Sequence, residues 1–323
     1  MGWTGKHEDV QESVEYELMS GPEAGSSSSG PRISVVINTL NEENNLAYAL
    51  RSVRSWVDEI IVVDMYSEDR TAEIAREHGA KVYFHPKVVA FDSARAFAVA
   101  QATGDWILIL DADEMIPRSL SHTLMEIARE NRADVVGVPM LNYMLSAPMM
   151  HAKVDPWTNR HLRYFKPGAL NLTGTIHDYT HPAATSRVLY LPYEPGQSIV
   201  HFANIDFFDI LDKINRYTTI EAEQSASRGK KPSALRAVAQ ASRRFYYHYV
   251  KGKGYLDGWR GVYVSLANVL YVLSTYTKLF EIHANGPRQA VRSFYRSEAE
   301  KLIMEYDVMV HGSPDTHVGS LKA

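Results

Sequence analysis

Between residues 33 and 139 the chain alternates short unbroken apolar runs with longer stretches whose apolar residues recur every three or four positions. Ile33–Ile37, Ile60–Val63 and Trp106–Leu110 are almost wholly aliphatic, the pattern of strands buried on both faces. Leu46, Leu50, Val53 and Trp56 predict an amphipathic helix capped by Asn41 or Asn44. Residues 70–78 predict a second helix, stopped by Gly79, and residues 94–101 a third. Residues 81–85 read as a short strand, 119–131 as a helix and 135–139 as a strand. Such alternation predicts right-handed crossovers and a doubly wound parallel sheet. Residues 142–156, rich in Met and Pro, read as a loop over a site. Residues 160–165 and 174–178 read as strands or strand ends. Beyond Asp206 the pattern changes to long helices with many aromatics. There Trp259, Tyr263, Leu266, Val269, Leu270 and Leu273 recur at helical spacing and predict a buried face. The expected organisation is a disordered leader over 1–30, ending in Gly25–Gly30, an α/β domain over 31–205 and a helical, basic and aromatic region over 206–323.

The predicted strands end in acids. Asp64 closes one, and Asp111, Ala112, Asp113 and Glu114 close another. Carboxylates resist burial, so these belong at the carboxyl edge of the sheet, where open α/β folds bind ligands. Alternation along an extended chain sends Asp111 and Asp113 to one side. Two hard oxygen donors there suit Mn²⁺ or Mg²⁺, which also takes oxygens from a phosphate. The bland alternative for such a motif alone is a solvated acidic turn.

Charge and composition narrow the function. The net charge of −4 argues against a nucleic-acid binder, and the absence of cysteine removes disulfides, thiolate metal sites and cysteine nucleophiles. With no apolar run of about 18 residues, a cytoplasmic location is expected. The charge is unevenly spread. Residues 206–301 hold 16 Lys and Arg against 9 Asp and Glu, a net of +7, which leaves −11 for the rest. A basic helical region with an apolar face predicts peripheral contact with the inner face of a membrane, self-association, or packing on the α/β domain. The aromatic and basic stretch 243–253 has the same alternatives, an interfacial helix pair or a core stripe with a solvated face. No glycine-rich dinucleotide or P-loop motif follows the first strand, where Asn38–Glu43 stands instead.

Four blocks carry a family resemblance: Ser34–Glu43, Ile60–Asp64 with Ser67, Asp69 and Thr71, Ala102–Trp106, and Asp111–Glu114. In order and spacing they resemble the family 2 glycosyltransferases of GT-A fold. Leu162–Phe165, Ile176–Asp178, His201, Lys213–Tyr217 and Gly254–Gly258 resemble the branch of bacterial lipopolysaccharide-core β-glucosyltransferases. The resemblance implies a Rossmann-like, mostly parallel sheet with a helical C-terminal extension. It implies Thr39 and Glu42 beside the base and ribose of a nucleotide diphosphate sugar, a UDP-sugar foremost. Asp64 falls at the base, where many relatives have two acids and this chain has Met65 second. Arg95 helps hold the diphosphate, Asp111 faces the ribose, Asp113 binds the metal, and His201 adds a late metal ligand; His177 has the same reading, and a structural histidine is the alternative for both. Asp178 is the expected general base, one methylene shorter than the glutamate usual in that branch, with Asp155 and Glu114 next in line. Arg160 and Arg163 meet an anionic acceptor or the diphosphate, or else form surface stacking pairs.

The expected function is therefore an inverting, metal-dependent glycosyltransferase acting on a saccharide, glycolipid or peptide acceptor, with envelope polysaccharide or glycolipid synthesis as its setting. A non-catalytic nucleotide-sugar-binding scaffold and a peptide-modifying transferase are the alternatives. A nucleotidyltransferase fits less well, because acids stand where its basic glycine-rich loop belongs.

Overall fold

In the computed structural model, residues 30–87, 91–172 and 181–311 are described. In chain order the first elements are β1 (Ile33–Thr39), α1 (Leu46–Val53), β2 (Glu59–Asp64), α2 (Thr71–Glu77), β3 (Lys81–Phe84), α3 (Phe91–Ala100) and β4 (Trp106–Asp111). There follow β5 (Glu114–Met115), α4 (Arg118–Glu130), β6 (Val135–Met144), β7 (Ala147–Pro148), β8 (Arg160–Phe165), β9 (Leu170–Asn171), β10 (His181–Pro182), β11 (Val188–Tyr190) and β12 (Ile199–Asn204). Four helices complete the described chain: α5 (Phe207–Ser227), α6 (Ala234–Phe245), α7 (Trp259–Asn285) and α8 (Arg288–His311).

The main sheet has the order β3-β2-β1-β4-β8-β6-β12-β5. The first four strands are parallel, and the unbroken apolar runs of β1, β2 and β4 suit burial on both faces of such a sheet. Both faces are covered. Val35, Ile37, Val62 and Leu108 pack under α1, α2 and α4, while Val36, Ile61, Ile107 and Ile109 pack with Ala98 of α3. One expectation changes here: β8 runs antiparallel to both β4 and β6. A strand's residue pattern carries no direction, so the reversal was invisible in the sequence. The sheet remains mostly parallel, with β12 and β11 parallel to β6.

The amino edge of the sheet is tied by a polar knot. Ser34 Oγ donates to Glu59 (2.6 Å), as do Lys81 Nζ (2.6 Å) and the Thr103 backbone N–H (2.9 Å). Gly104 N–H donates to Ser34 Oγ, and a Cβ on Gly104 would stand 2.7 Å from that oxygen. The Ala102–Trp106 block thus owes its residues to closing this edge, far along β4 from the acids.

The cap of α1 falls on Asn45, without a side-chain bond, rather than on Asn41 or Asn44. Asn41 instead takes a left-handed φ of 57° and receives the Glu68 N–H on its side chain. That joins the turn after β1 to the turn after β2. At the other boundary, Asp206 caps α5 by accepting from the Asp209 N–H.

The buried face of α7 is not the expected one. Gly261, Val264, Ser265, Val272, Thr275, Tyr276 and Leu279 are buried, against α5, α6 and the 144–154 segment, while Trp259, Leu266, Leu270 and Leu273 are exposed. α7 is apolar on both sides, so hydrophobicity alone could not choose. The small residues decide, because they let neighbouring backbone close in: a Cβ on Gly261 would lie 1.7 Å from the Gly254 carbonyl oxygen.

Candidate active site

A cavity of about 550 Å³ opens at the carboxyl edge of β1 and β4. Its walls bring together Thr39, Glu42, Arg95, Asp111, Asp113, Glu114, Arg163 and His201, with Lys213, Arg216 and Tyr217 from α5. Six of the predicted site residues, Thr39, Glu42, Arg95, Asp111, Asp113 and His201, therefore share one cavity. Asp64 does not line it. Asp64 is fully buried at the end of β2, beside Thr39 in register; its Oδ1 accepts from the Ser67 N–H (2.6 Å), and Oδ2 has no protein partner among the described residues. Asp178 and His177 lie outside the described residues.

The two strand-end aspartates part company. Extended chain stops at Asp111, and a turn over Ala112 and Asp113 breaks the alternation. Asp111 accepts from Arg95 Nη2 through both oxygens (2.7 and 2.9 Å) and from Arg163 Nη2 (2.8 Å). Burial alone would raise the Asp111 carboxyl, but the two guanidinium groups hold it well below the usual carboxylate range. Arg163 also donates to Glu114 (3.1 Å), which is fully buried and accepts the Asp111 N–H as well. Burial lifts the Glu114 carboxyl to about 7 despite Arg163. Arg163 is thus an interior cation of the site and not a surface stacking residue, whereas Arg160 is exposed. His161, pushed down to about 4 by burial and then by Arg163, stands neutral beside it.

Asp113 faces His201 instead, with Oδ2 3.3 Å from Nε2. The pairing of β12 produces this: His201 stands opposite Glu114 on β5 and Asn142 on β6, and the Phe202 N–H bonds the Asp113 carbonyl. Asn142 was not singled out in the sequence, where it reads as part of a loop. Its Nδ2 donates to the Val154 carbonyl (3.0 Å), which only a donor satisfies, so its Oδ1 must face His201 Nδ1 (2.8 Å). Nδ1 therefore carries the proton. The Nε2 lone pair of the neutral ring then confronts a carboxylate oxygen. Two acceptors so placed need a cation between them or a proton on Nε2. Burial would lower His201, but its contact with Asp113 outweighs this and raises it. One carboxylate oxygen and one imidazole nitrogen fit a divalent ion that completes its shell with phosphate and water. Among the described residues no group of three or more His, Asp and Glu forms a ready-made cage.

Lys213 donates to the Ala203 carbonyl and to Asn204 Oδ1 (3.2 Å), which fastens α5 to the end of β12. Beside it lies an apolar annex of about 210 Å³, sharing Met144, Val154, Lys213 and Tyr217 with the main cavity and walled by Ile210, Ile214, Val264 and Ala267. The Gly254–Gly258 block packs behind this wall. Asp257 accepts from the backbone N–H groups of Met150 (3.3 Å) and His151 (2.9 Å) and pairs with His151 Nδ1 (2.9 Å). The two fallback acids are committed elsewhere: Glu114 to the ion cluster, Asp155 to the turn at Thr158.

Residues 34–191 match Glycosyl transferase family 2. The chain carries a family 2 glycosyl transferase domain. An uncharacterized glycosyltransferase of Rickettsia felis is 27% identical over 238 residues, 71% of this chain and 83% of that protein. The lipopolysaccharide core biosynthesis glycosyltransferase LpsC of Rhizobium meliloti is 24% identical over 265 residues, 80% of this chain and 96% of that protein. Among solved structures, glucosyl-3-phosphoglycerate synthase of Mycobacterium tuberculosis, crystallised with Mn²⁺, UDP and glucosyl-3-phosphoglycerate, shares 27% identity with a TM-score of 0.31. That match covers 35% of this chain and less than half, 45%, of the other. The curled, mostly parallel sheet followed by helices is the GT-A type expected of the glycosyltransferase.

Proposed function

We propose that this glycosyltransferase is inverting and metal-dependent, moving a sugar from a nucleotide diphosphate sugar to an acceptor hydroxyl of an envelope polysaccharide or glycolipid. The observation that carries the reading is the Asp113–His201 pair, whose facing lone pairs are set by Asn142. A divalent ion held there would offset the charge that builds on the departing diphosphate. Arg163 Nη1, buried and without a protein partner among the described residues, offers an N–H to a diphosphate oxygen. Asp111 commits both oxygens to Arg95 and Arg163, so its part is to position those cations rather than to grip the ribose. Thr39 Oγ1 on the cavity wall and Asp64 Oδ2 buried behind it, both without a partner among the described residues, favour a base with a ring N–H, as in uracil, over cytosine, which lacks a proton there. Asp178, assigned from sequence position alone, takes the acceptor proton. The acceptor oxygen then bonds the anomeric carbon from the face opposite the diphosphate, which leaves with the electrons of the broken C–O bond. The name of LpsC supports an envelope setting for the acceptor.

Calorimetry with UDP, GDP and CDP, with and without Mn²⁺, tests the donor assignment. UDP should bind tightest, and only with Mn²⁺. Equal Mn²⁺-dependent affinity in Asp113→Ala and the parent would overturn it. Asp178→Asn should keep UDP binding while transfer falls by roughly two to four orders of magnitude.

A further inference from the structure

The connection between α6 and α7 folds into a compact knuckle: a π-helical turn over Tyr246–Lys251 and a 3₁₀ turn over Gly254–Asp257. Residues 243–260 contain five cations, Arg243, Arg244, Lys251, Lys253 and Arg260, and one carboxylate. That carboxylate, Asp257, is turned inward onto Met150 and His151. The knuckle therefore shows solvent only positive charge. Among the cations stand exposed apolar groups: Tyr246 (58%), Tyr255 (50%), Leu256 (57%) and Trp259 (60%). Charge and ring are held together. Lys153 and Lys251 each lie 5.7 Å from the Tyr247 ring, and Arg260 lies 4.7 Å from that of Trp259.

The apolar surface continues along α7. Trp259, Val262, Leu266, Leu270 and Leu273 are all exposed and, at about 100° per residue, fall within a single arc of roughly 80°. No charged residue interrupts positions 261–277. No described helix is long and apolar enough to cross a membrane. A surface of this kind lies on a bilayer: Trp and Tyr seek the headgroup level, Leu goes beneath it, and Lys and Arg meet anionic lipid.

We propose that the knuckle and the exposed stripe of α7 form a docking surface for an anionic bilayer. Charge selects this occupant over a second copy of the chain. α7 carries a single carboxylate, Glu281, so a copy packed stripe to stripe would set five cations against at most one counter-charge. The surface is rigidly coupled to the cavity. The Ala152 N–H bonds the Gly252 carbonyl (2.7 Å), His248 Nδ1 donates to the Ala152 carbonyl (2.7 Å), and Arg260 Nε donates to the Leu145 carbonyl (2.9 Å). Met144 and Val154, which bracket this segment, line the cavity itself. Docking thus sets the height and tilt of the cavity mouth above the lipid, as an acceptor anchored in that lipid requires.

Flotation of the full chain with vesicles tests this without any sugar substrate. The protein should float with mixed phosphatidylcholine–phosphatidylglycerol vesicles at low salt, and stay down with phosphatidylcholine alone or at high salt. Lys251→Ala with Lys253→Ala should weaken partitioning by about fivefold per cation, roughly 25-fold together. Leu256→Ser with Trp259→Ser should abolish flotation while circular dichroism stays unchanged. If that pair misfolds, the exposed lysine pair still decides. Protein left at the bottom with anionic vesicles at low salt overturns the proposal, and so does equal flotation with neutral ones. Sedimentation showing a dimer that Leu266→Ser with Leu270→Ser dissociates would assign the stripe to a second copy instead.

Discussion

Glu59→Gln should destabilise the protein while leaving the donor cavity untouched. Glu59 is buried at the amino edge of the sheet, a full strand length from Asp64 at the other end of β2. Burial would raise its carboxyl, yet the bonds from Lys81, Ser34 and Thr103 overcome this and bring it down from 4.5 to about 2. A carboxyl depressed by folding adds stability above its unfolded value and loses it as pH falls through the folded one. A shift of this size corresponds to about 3 kcal/mol. Lys81 is 60% exposed and its charge is screened by water, so about 2 kcal/mol is the expected loss at neutral pH. In melting temperature that is a drop of roughly 4–8 °C. Urea unfolding of parent and variant at steps from pH 8 to pH 3 is the assay. The gap should be constant down to about pH 5 and then narrow by roughly half at about pH 3. An undiminished gap in acid, or a changed affinity for UDP, would refute the reasoning.

Three further outcomes follow from the same geometry. Arg163→Met leaves Glu114 buried without its cation and should cost about 3–5 kcal/mol, part of which Glu114→Gln restores when combined with it in thermal unfolding. Asn142→Leu frees His201 to rotate and should weaken Mn²⁺ binding in the presence of UDP by roughly 10- to 100-fold, measured by calorimetry; an unchanged affinity would remove His201 from the site. Gly261→Ala drives a methyl group into the Gly254 carbonyl, so limited proteolysis should cut residues 250–260 far faster than in the parent.

The strands that build the site were legible because β1, β2 and β4 are buried on both faces and their acids mark the carboxyl edge. Their blocks identified Thr39, Glu42, Asp111 and Asp113, and the cavity brings these together. What stayed hidden depends on pairing between distant segments. Asn142 matters because β12 places His201 opposite it, 59 residues away, and a lone Asn at a strand end gives no sign of that. Arg163 was seen but not placed, since an arginine beside an aromatic reads the same on a surface as in an ion cluster. The separate fates of Asp111 and Asp113 turn on where extended chain stops. For α7 the pattern showed that a face is buried, and the glycine contacts chose which one.

The reversed direction of β8 has a consequence for how such an enzyme can change. Arg163 stands at a bulge in β8, next to Tyr164, which pairs with β4 on one side and β6 on the other, so the guanidinium that grips Asp111 and Glu114 is seated by the sheet. Within the stretch from Leu145 to Asn159, which enters and leaves between two strands of that sheet, exposed residues such as Ser146, Pro148 and Trp157 can change without shifting it, while the Val154 carbonyl that receives Asn142 Nδ2 must stay in place. Drift at those exposed positions leaves the Arg163–Asp111–Glu114 cluster inherited intact.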